Sequence, residues 1–385
     1  MRITDIEALH LRIPDVGEIC DGTQDALLVR VHTDVGLVGL GQGEGAPHAI
    51  MAAIDAPISN SIGRGLREAA VGEDPREVER VTRKLLAAGA YVGTQAGAGL
   101  AAVCAVEMAL WDLLGKATGL PLYVLLGGAH RKRIPAYAST LFPEADESDP
   151  VRVVTDKASR IRERGFRAMK FGFGRFGRAP ATDVAMVRAL RLEAGSDGAV
   201  MVDAGLCWHN AADAIEAARQ LEDFHPYWIE DPFARPSIEA CRRLASAVPT
   251  RIAVGVRSAQ QAREMITHGN VSVVQADVGS VGVSACKQIG LGAVEVGGTY
   301  VPHCYGTGVI QAATLHLLAS LPYDSWLELP FEASVLSRDL LTEPVDAVDG
   351  MVGVPEAPGL GIELNKDVVE RYLVDRSAAD SAEVA

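Results

Sequence analysis

The sequence predicts an α/β protein in which a closed barrel of parallel strands follows an α+β region. Three observations carry this. Beyond residue 130, short apolar runs alternate with longer amphipathic stretches at a spacing of roughly 20–35 residues, the rhythm of β-then-α units. The first 130 residues lack that rhythm. No GxGxxG turn follows the first run, as a doubly wound nucleotide-binding sheet would need.

The elements follow in order. Ile3–Leu11 and Ala26–His32 alternate β-branched and apolar residues as antiparallel strands do, and Pro75 to Gly119 reads as helix, with Leu100, Val103, Val106, Leu110 and Leu113 on neighbouring turns. Residues 1–130 are therefore expected to form an α+β domain. The barrel, 131–335, takes its strands from Ile134–Ser139, Ala168–Phe171, Ala199–Asp203, Tyr227–Glu230, Arg251–Gly255, Val271–Asp277, Thr299–His303 and Trp326–Leu329. Connecting stretches such as Ala211–Leu221 and Ser258–His268 are long enough to return the chain for a parallel neighbour. Residues 336–376 are expected to pack back on the first domain, and 377–385 to form a disordered tail.

The bulk properties narrow the function classes. A chain of 385 residues with 48% hydrophobic and 22% charged residues can bury a large core. Its formal charge of -14, from 36 Lys and Arg against 50 Asp and Glu, argues against a general affinity for nucleic acid or anionic lipid. Met1 to Leu11 lacks a signal-peptide core and no apolar run is expected to span a membrane, so a cytoplasmic protein is expected. The six cysteines show no zinc-ligand spacing and are expected to be reduced; Cys304 stands out only because it adjoins His303.

The chemical signal lies at the strand ends. Read in order they carry Lys170, Asp203, Glu230, Val256, Asp277, His303 and Glu328. Ionisable groups so placed on buried strands need partners or a task, because an unpaired buried charge is costly.

Together with Ala109–Gly128 (ALWDLLGKATGLPLYVLLGG), Met201–Gly205 (MVDAG), Trp228–Pro232 (WIEDP), Val274–Val278 (VQADV), Val301–His303 (VPH) and Leu327–Leu329 (LEL), this order resembles the mandelate racemase and muconate lactonizing branch of the enolase superfamily over nearly the whole chain. The resemblance implies a modified TIM barrel, (β/α)7β, under a capping domain whose loops, here near Pro14–Asp25 and Gly43–Pro57, select a small carboxylate substrate. It also implies a homo-oligomer. Asp203 and Glu230 match Mg2+ ligands, His303 with Asp277 the general-base dyad, Lys170 the first lysine of a KxK motif beside the substrate carboxylate, and Glu328 a protonated glutamate that donates to the enolate. Such a site would stabilise the second negative charge that builds when a proton leaves the carbon beside a carboxylate. Glu18, Cys20, Asp21, Glu44 and His48 in the cap loops are read as solvated.

Two departures from the pattern bear on the reaction. Gly172 stands where the second lysine of KxK would, removing a base from the opposite face and disfavouring racemisation. Val256 stands where a third carboxylate ligand is usual, leaving Mg2+ two carboxylates and weaker binding; Arg257 beside it is expected to point away from the lumen. The reaction expected first is dehydration of a sugar acid to a 2-keto-3-deoxy acid, with His303 serving as base and then acid. The alternatives are a cycloisomerase or epimerase using a second acid such as Tyr137, Tyr305 or Cys304, and a catalytically reduced acid-binding relative.

Overall fold

The computed structural model describes residues 1–60, 63–234 and 237–377. Its strands are β1 (Ile3–Arg12), β2 (Asp25–Thr33), β3 (Val38–Gly43), β4 (Arg133–Leu141), β5 (Ala168–Gly172), β6 (Ala199–Asp203), β7 (Trp228–Glu230), β8 (Arg251–Gly255), β9 (Val273–Gln275), β10 (Thr299–Tyr300), β11 (Leu327–Pro330), β12 (Met351–Gly353) and β13 (Leu373–Ser377). They make two sheets. One is antiparallel, in the order β13-β1-β2-β3; the other curls through β10-β9-β8-β7-β6-β5-β4-β11, all parallel, with β12 added antiparallel to β4.

The cap sheet is buried on both faces because alternate side chains serve two cores. Ile6, Ala8, Leu27 and Val29 face the cap helices, where Ile50, Val81 and Leu85 lie. Leu9, Leu11 and Leu28 join the large core that contains the barrel. Strand β3 lies almost on the backbone of the helix Gly97–Thr118: a Cβ on Gly41 would come within 2.0 Å of the Ala105 carbonyl oxygen. That helix is, against expectation, long and apolar enough to cross a membrane, but 72% of its apolar window is buried in the molecule, the burial of a core helix.

The expected helix from Pro75 to Gly119 is two helices, Val78–Ala88 and Gly97–Thr118, parted by a glycine-punctuated turn that Thr94 pins by donating to the Leu86 carbonyl at 2.7 Å. Strand β3 and the short helices Pro47–Asp55 and Leu66–Ala70 complete the first 130 residues.

All eight expected barrel strands form, some of them shorter. The lumen is filled by Tyr137, Ala168, Met201, Trp228, Ala253, Val273 and Val301, a layer of inward side chains that makes it a packed core and fixes which residues above it face the mouth. Strand β10 is the shortest, since Pro302 lacks an N–H to continue a ladder. No ladder joins β10 to β11 among the described residues. The seam is crossed instead by side-chain bonds, from Ser325 Oγ to the Tyr300 carbonyl at 2.7 Å and from the Cys304 N–H to Glu328 Oε2 at 2.8 Å.

After β11 the chain serves both parts. Strand β12 extends the barrel sheet through β4, and β13 pairs with β1 in the cap, Ser377 opposite Ala8. Ser377 is thus strand and not tail, while 378–385 of the expected tail lie outside the described residues.

Candidate active site

Because the lumen residues alternate with outward ones, the strands deliver Lys170, Asp203, Glu230 and Glu328 to one place, each at most 5% exposed. Lys170 is the hub. Its Nζ lies 2.6 Å from Glu230 Oε1, 2.8 Å from Glu328 Oε1 and 3.7 Å from Asp203 Oδ2. The remaining oxygens are also held: Trp228 Nε1 donates to Glu230 Oε2 at 3.0 Å, the Gly205 N–H to Asp203 Oδ1 at 2.8 Å and the Cys304 N–H to Glu328 Oε2 at 2.8 Å, while Ser139 Oγ donates to the Glu328 Oε1 that Lys170 shares, at 2.8 Å.

Electrostatics follow from this crowding. Burial alone would lower the Lys170 pKa, yet Glu230 and Glu328 beside it raise it well above the usual lysine range. Burial and then the Glu230 charge push Asp203 well above the carboxylate range, against the pull of Lys170. Burial would raise Glu328 too, but Lys170 and His303 lower it to about 2. Glu328 is therefore an ionised acceptor of three hydrogen bonds, which corrects the expectation of a protonated donor.

Across the cavity His303 Nδ1 faces Asp277 Oδ2 at 3.3 Å. Asp277 caps the following helical turn, its Oδ1 accepting from the Gly279 and Ser280 N–H groups, so its second oxygen is aimed at the imidazole. Burial would lower the His303 pKa; the Asp277 hydrogen bond and the charges of Glu328, Asp277 and Glu44 outweigh it and raise it to about 10. The side chain keeps 41% exposure, so water entering the cavity tempers that rise.

Lys170, Asp203, Glu230, Glu328 and His303 line a cavity of about 230 Å³ together with Glu44, Asp231, Phe173 and Tyr305, while Asp277 stands off the wall and reaches it only through His303. Glu44 is the residue the sequence reading misplaced: it is a cavity wall and not a solvated loop residue. Its available signal was its position directly after the buried end of β3. Cys20 also lines the cavity, whereas His48 is exposed. A larger open groove of about 1060 Å³, between Lys116 and the C-terminal segment, holds none of the strand-end ionisable groups.

Other expectations are corrected by side-chain direction. Ile252, Val254 and Val256 pack in the large core outside the lumen layer that holds Ala253, so Val256 does not line the cavity. Arg257, beyond the strand, is exposed and stays off the cavity wall, in line with the expectation. Of the three suggested second acids only Tyr305 reaches the cavity; Tyr137 is buried in the lumen layer with its hydroxyl unpartnered, and Cys304 is a fully buried thiol.

Gly172 has a steric cause. It pairs with Asp203 across β5 and β6, and a Cβ there would stand 2.6 Å from the Asp203 Cβ. A lysine has no room unless Asp203 moves. Gly172→Ala is expected to destabilise the protein by about 1–3 kcal/mol through overpacking, read as a lower denaturant midpoint at unchanged slope; an unchanged midpoint would show that the strands yield.

Two family models match the chain: the mandelate racemase/muconate lactonizing enzyme N-terminal domain over residues 16–127 and the enolase C-terminal domain-like model over 153–368. The chain belongs to the mandelate racemase/muconate lactonizing enzyme family of the enolase superfamily. Its relatives in the family include D-galactarolactone cycloisomerase of Agrobacterium fabrum, 31% identical over 90% of each chain, and D-gluconate dehydratase of Thermoproteus tenax, 30% identical over 91% of this chain and 70% of that one. A racemase from Streptomyces coelicolor A3(2), solved with bound magnesium, superposes with a TM-score of 0.82 at 27% identity over 97% of this chain and 100% of that one.

Enolase-superfamily enzymes use Mg2+, and the residues present suit such an ion in part. Among the described residues no three His, Cys, Asp or Glu side chains converge as a complete metal cage. Asp203 and Glu230 do stand side by side in register on β6 and β7, and Mg2+ commonly takes one or two carboxylates with water and substrate oxygens. Asp231 adds a third carboxylate to the wall, raised by burial and by Glu230. Glu44, Asp203, Glu230, Asp231 and Glu328 line a cavity whose one lysine, Lys170, is already shared between Glu230 and Glu328, and hard oxygen donors of this kind suit Mg2+.

Proposed function

We propose that this protein removes the α-proton of a sugar acid and expels the β-hydroxyl as water, giving a 2-keto-3-deoxy acid, with Asp203 and Glu230 holding Mg2+. The observation that supports this most is a single imidazole, His303, braced by Asp277 and facing the Lys170 cluster across one cavity, with glycine at position 172 where a base for the other face would stand.

With Nδ1 turned to Asp277, Nε2 is the ring nitrogen left for substrate, and it takes the α-proton. Lys170 supplies fixed positive charge beside the substrate carboxylate, where the second negative charge builds, and does so without reorganisation because Glu230 and Glu328 already hold it. Mg2+ held by Asp203 and Glu230 would supply further positive charge to stabilise the enediolate. Ionised Glu328 keeps Lys170 charged and anchors the β10–β11 seam through the Cys304 N–H. The departing hydroxyl needs a proton from an acid on the cavity wall.

A second reading is supported by the cycloisomerase at 31% identity: the same α-proton removal with a ring oxygen as the leaving group. Incubating D-gluconate, D-galactonate, galactarate and their lactones in deuterated water with Mg2+ separates the two. A 2-keto acid from an open-chain acid supports dehydration and turnover of lactones alone supports cycloisomerisation. Failure of every acid to exchange its α-proton would overturn both.

Metal binding has its own readout. Mg2+ is expected to raise the thermal midpoint of the wild-type protein, with a stabilisation of about 2.7 kcal/mol at a hundredfold excess over Kd. Asp203→Asn is expected to abolish that rise; an equal rise in the variant would place the ion elsewhere.

A further inference from the structure

On the sequence alone the leaving hydroxyl takes its proton from His303 itself, but one wall residue offers a separate donor. Glu44 comes from the cap, directly after β3, and its backbone N–H donates to the Gly279 carbonyl at 3.1 Å. That bond ties it to the turn whose first N–H groups hold Asp277, and so to the His303 side of the cavity. Its carboxyl lines the cavity, and among the described residues nothing donates to either oxygen.

We propose that Glu44 is the general acid that protonates the departing β-hydroxyl while His303 removes the α-proton, an assignment that rests on the dehydratase reading. The bonds balance as follows. His303 Nε2 takes the proton from C2, and the C–H electrons move into the carboxylate to give an enediolate. Those electrons return to form C2=C3 as the C3–O bond breaks, and the oxygen leaves with the Glu44 proton as water. The enol product becomes the keto acid by taking a proton at C3 and losing one from oxygen. Passing the proton gained by His303 to the Glu44 carboxylate restores both groups.

The surroundings of Glu44 suit this role. Burial and then the Asp277 charge raise its pKa to about 8, with His303 partly offsetting them, so the carboxyl carries its proton at neutral pH. His303 already bears the Asp277 contact and faces the carbon being deprotonated; a second group avoids asking one imidazole to leave that carbon before the oxygen departs. Positioned acids contribute roughly 10²–10⁴-fold to rate.

The test uses Glu44→Gln with Mg2+ in deuterated water, on whichever of D-gluconate, D-galactonate and galactarate the wild type dehydrates. Formation of 2-keto acid is expected to fall by roughly 10²-fold or more while α-proton exchange persists. The 3-deoxy-3-fluoro counterpart of the same acid, whose fluoride leaves without a full proton transfer, is expected to release fluoride at close to the wild-type rate, which also shows the variant's site to be intact. Undiminished dehydration by Glu44→Gln overturns the assignment, as does a variant that loses exchange and fluoride release together. A wild type that exchanges α-protons but dehydrates none of the three acids overturns the dehydratase reading itself.

Discussion

Replacing His303 with asparagine is expected to lower turnover by roughly 10²–10⁴-fold and to remove α-proton exchange, because no other base on the described cavity wall has its partner arrangement. The protein is expected to stay folded. The imidazole is 41% exposed, and Asp277 keeps the Gly279 and Ser280 N–H groups, so no carboxylate is orphaned and the stability loss is about 1 kcal/mol. The paired measurement is exchange by NMR beside a thermal melt; exchange at the wild-type rate in a folded variant would remove the dyad from the chemistry. In the wild type the base must be neutral, so exchange is expected to rise with pH. Since water reaches the ring, the midpoint is expected between the ordinary 6.5 and the raised value of about 10.

Lys170→Met is expected to cost both activity and about 3–5 kcal/mol of stability, the penalty for leaving buried carboxylates without their cation. Methionine fills most of the lysine volume, so the loss is electrostatic. Glu230 keeps Trp228, and Glu328 keeps Ser139 and the Cys304 N–H, but the cation that both share is gone and only His303 is left to offset Glu328. The pH sign is definite. In the wild type, Glu328 is depressed to about 2, so its contribution is present above the unfolded value of 4.5 and lost as pH falls toward 2. In the variant the unpaired carboxylates favour protons, and the deficit is expected to shrink as pH falls from 7 to 5. Denaturant midpoints at the two pH values check this, and a variant within about 1 kcal/mol of wild type at neutral pH would show that the cluster does not depend on its lysine.

The strand-end groups were legible because period-two alternation, eight times over, puts apolar residues on both faces and leaves ionisable ones only at the mouth. Lys170, Asp203, Glu230 and Glu328 needed no contact map to be picked out, and their order in the chain carried the family. Val256 was harder to read, since extending the alternation past the end of β8 is ambiguous from sequence; the ladder from the Val256 N–H to the Gln275 carbonyl continues the outward face, and the side chain goes with it. Strand β10 came out shorter than its apolar run because proline ends a ladder that composition alone would extend.

The sequence by itself determined the barrel, the α+β region before it and the set of ionisable residues at the strand ends, because each rests on local periodicity or on residue order. Tertiary structure alone decided how burial and neighbours bias the ionisation of these groups, that Glu44 from the cap shares a cavity wall with His303 from the barrel, and that a side chain at position 172 would collide with Asp203. The physical reason is range. Alternation acts between neighbours in the chain, whereas ionisation and close packing depend on partners such as Lys170 and Glu328, far apart in sequence and 2.8 Å apart in space.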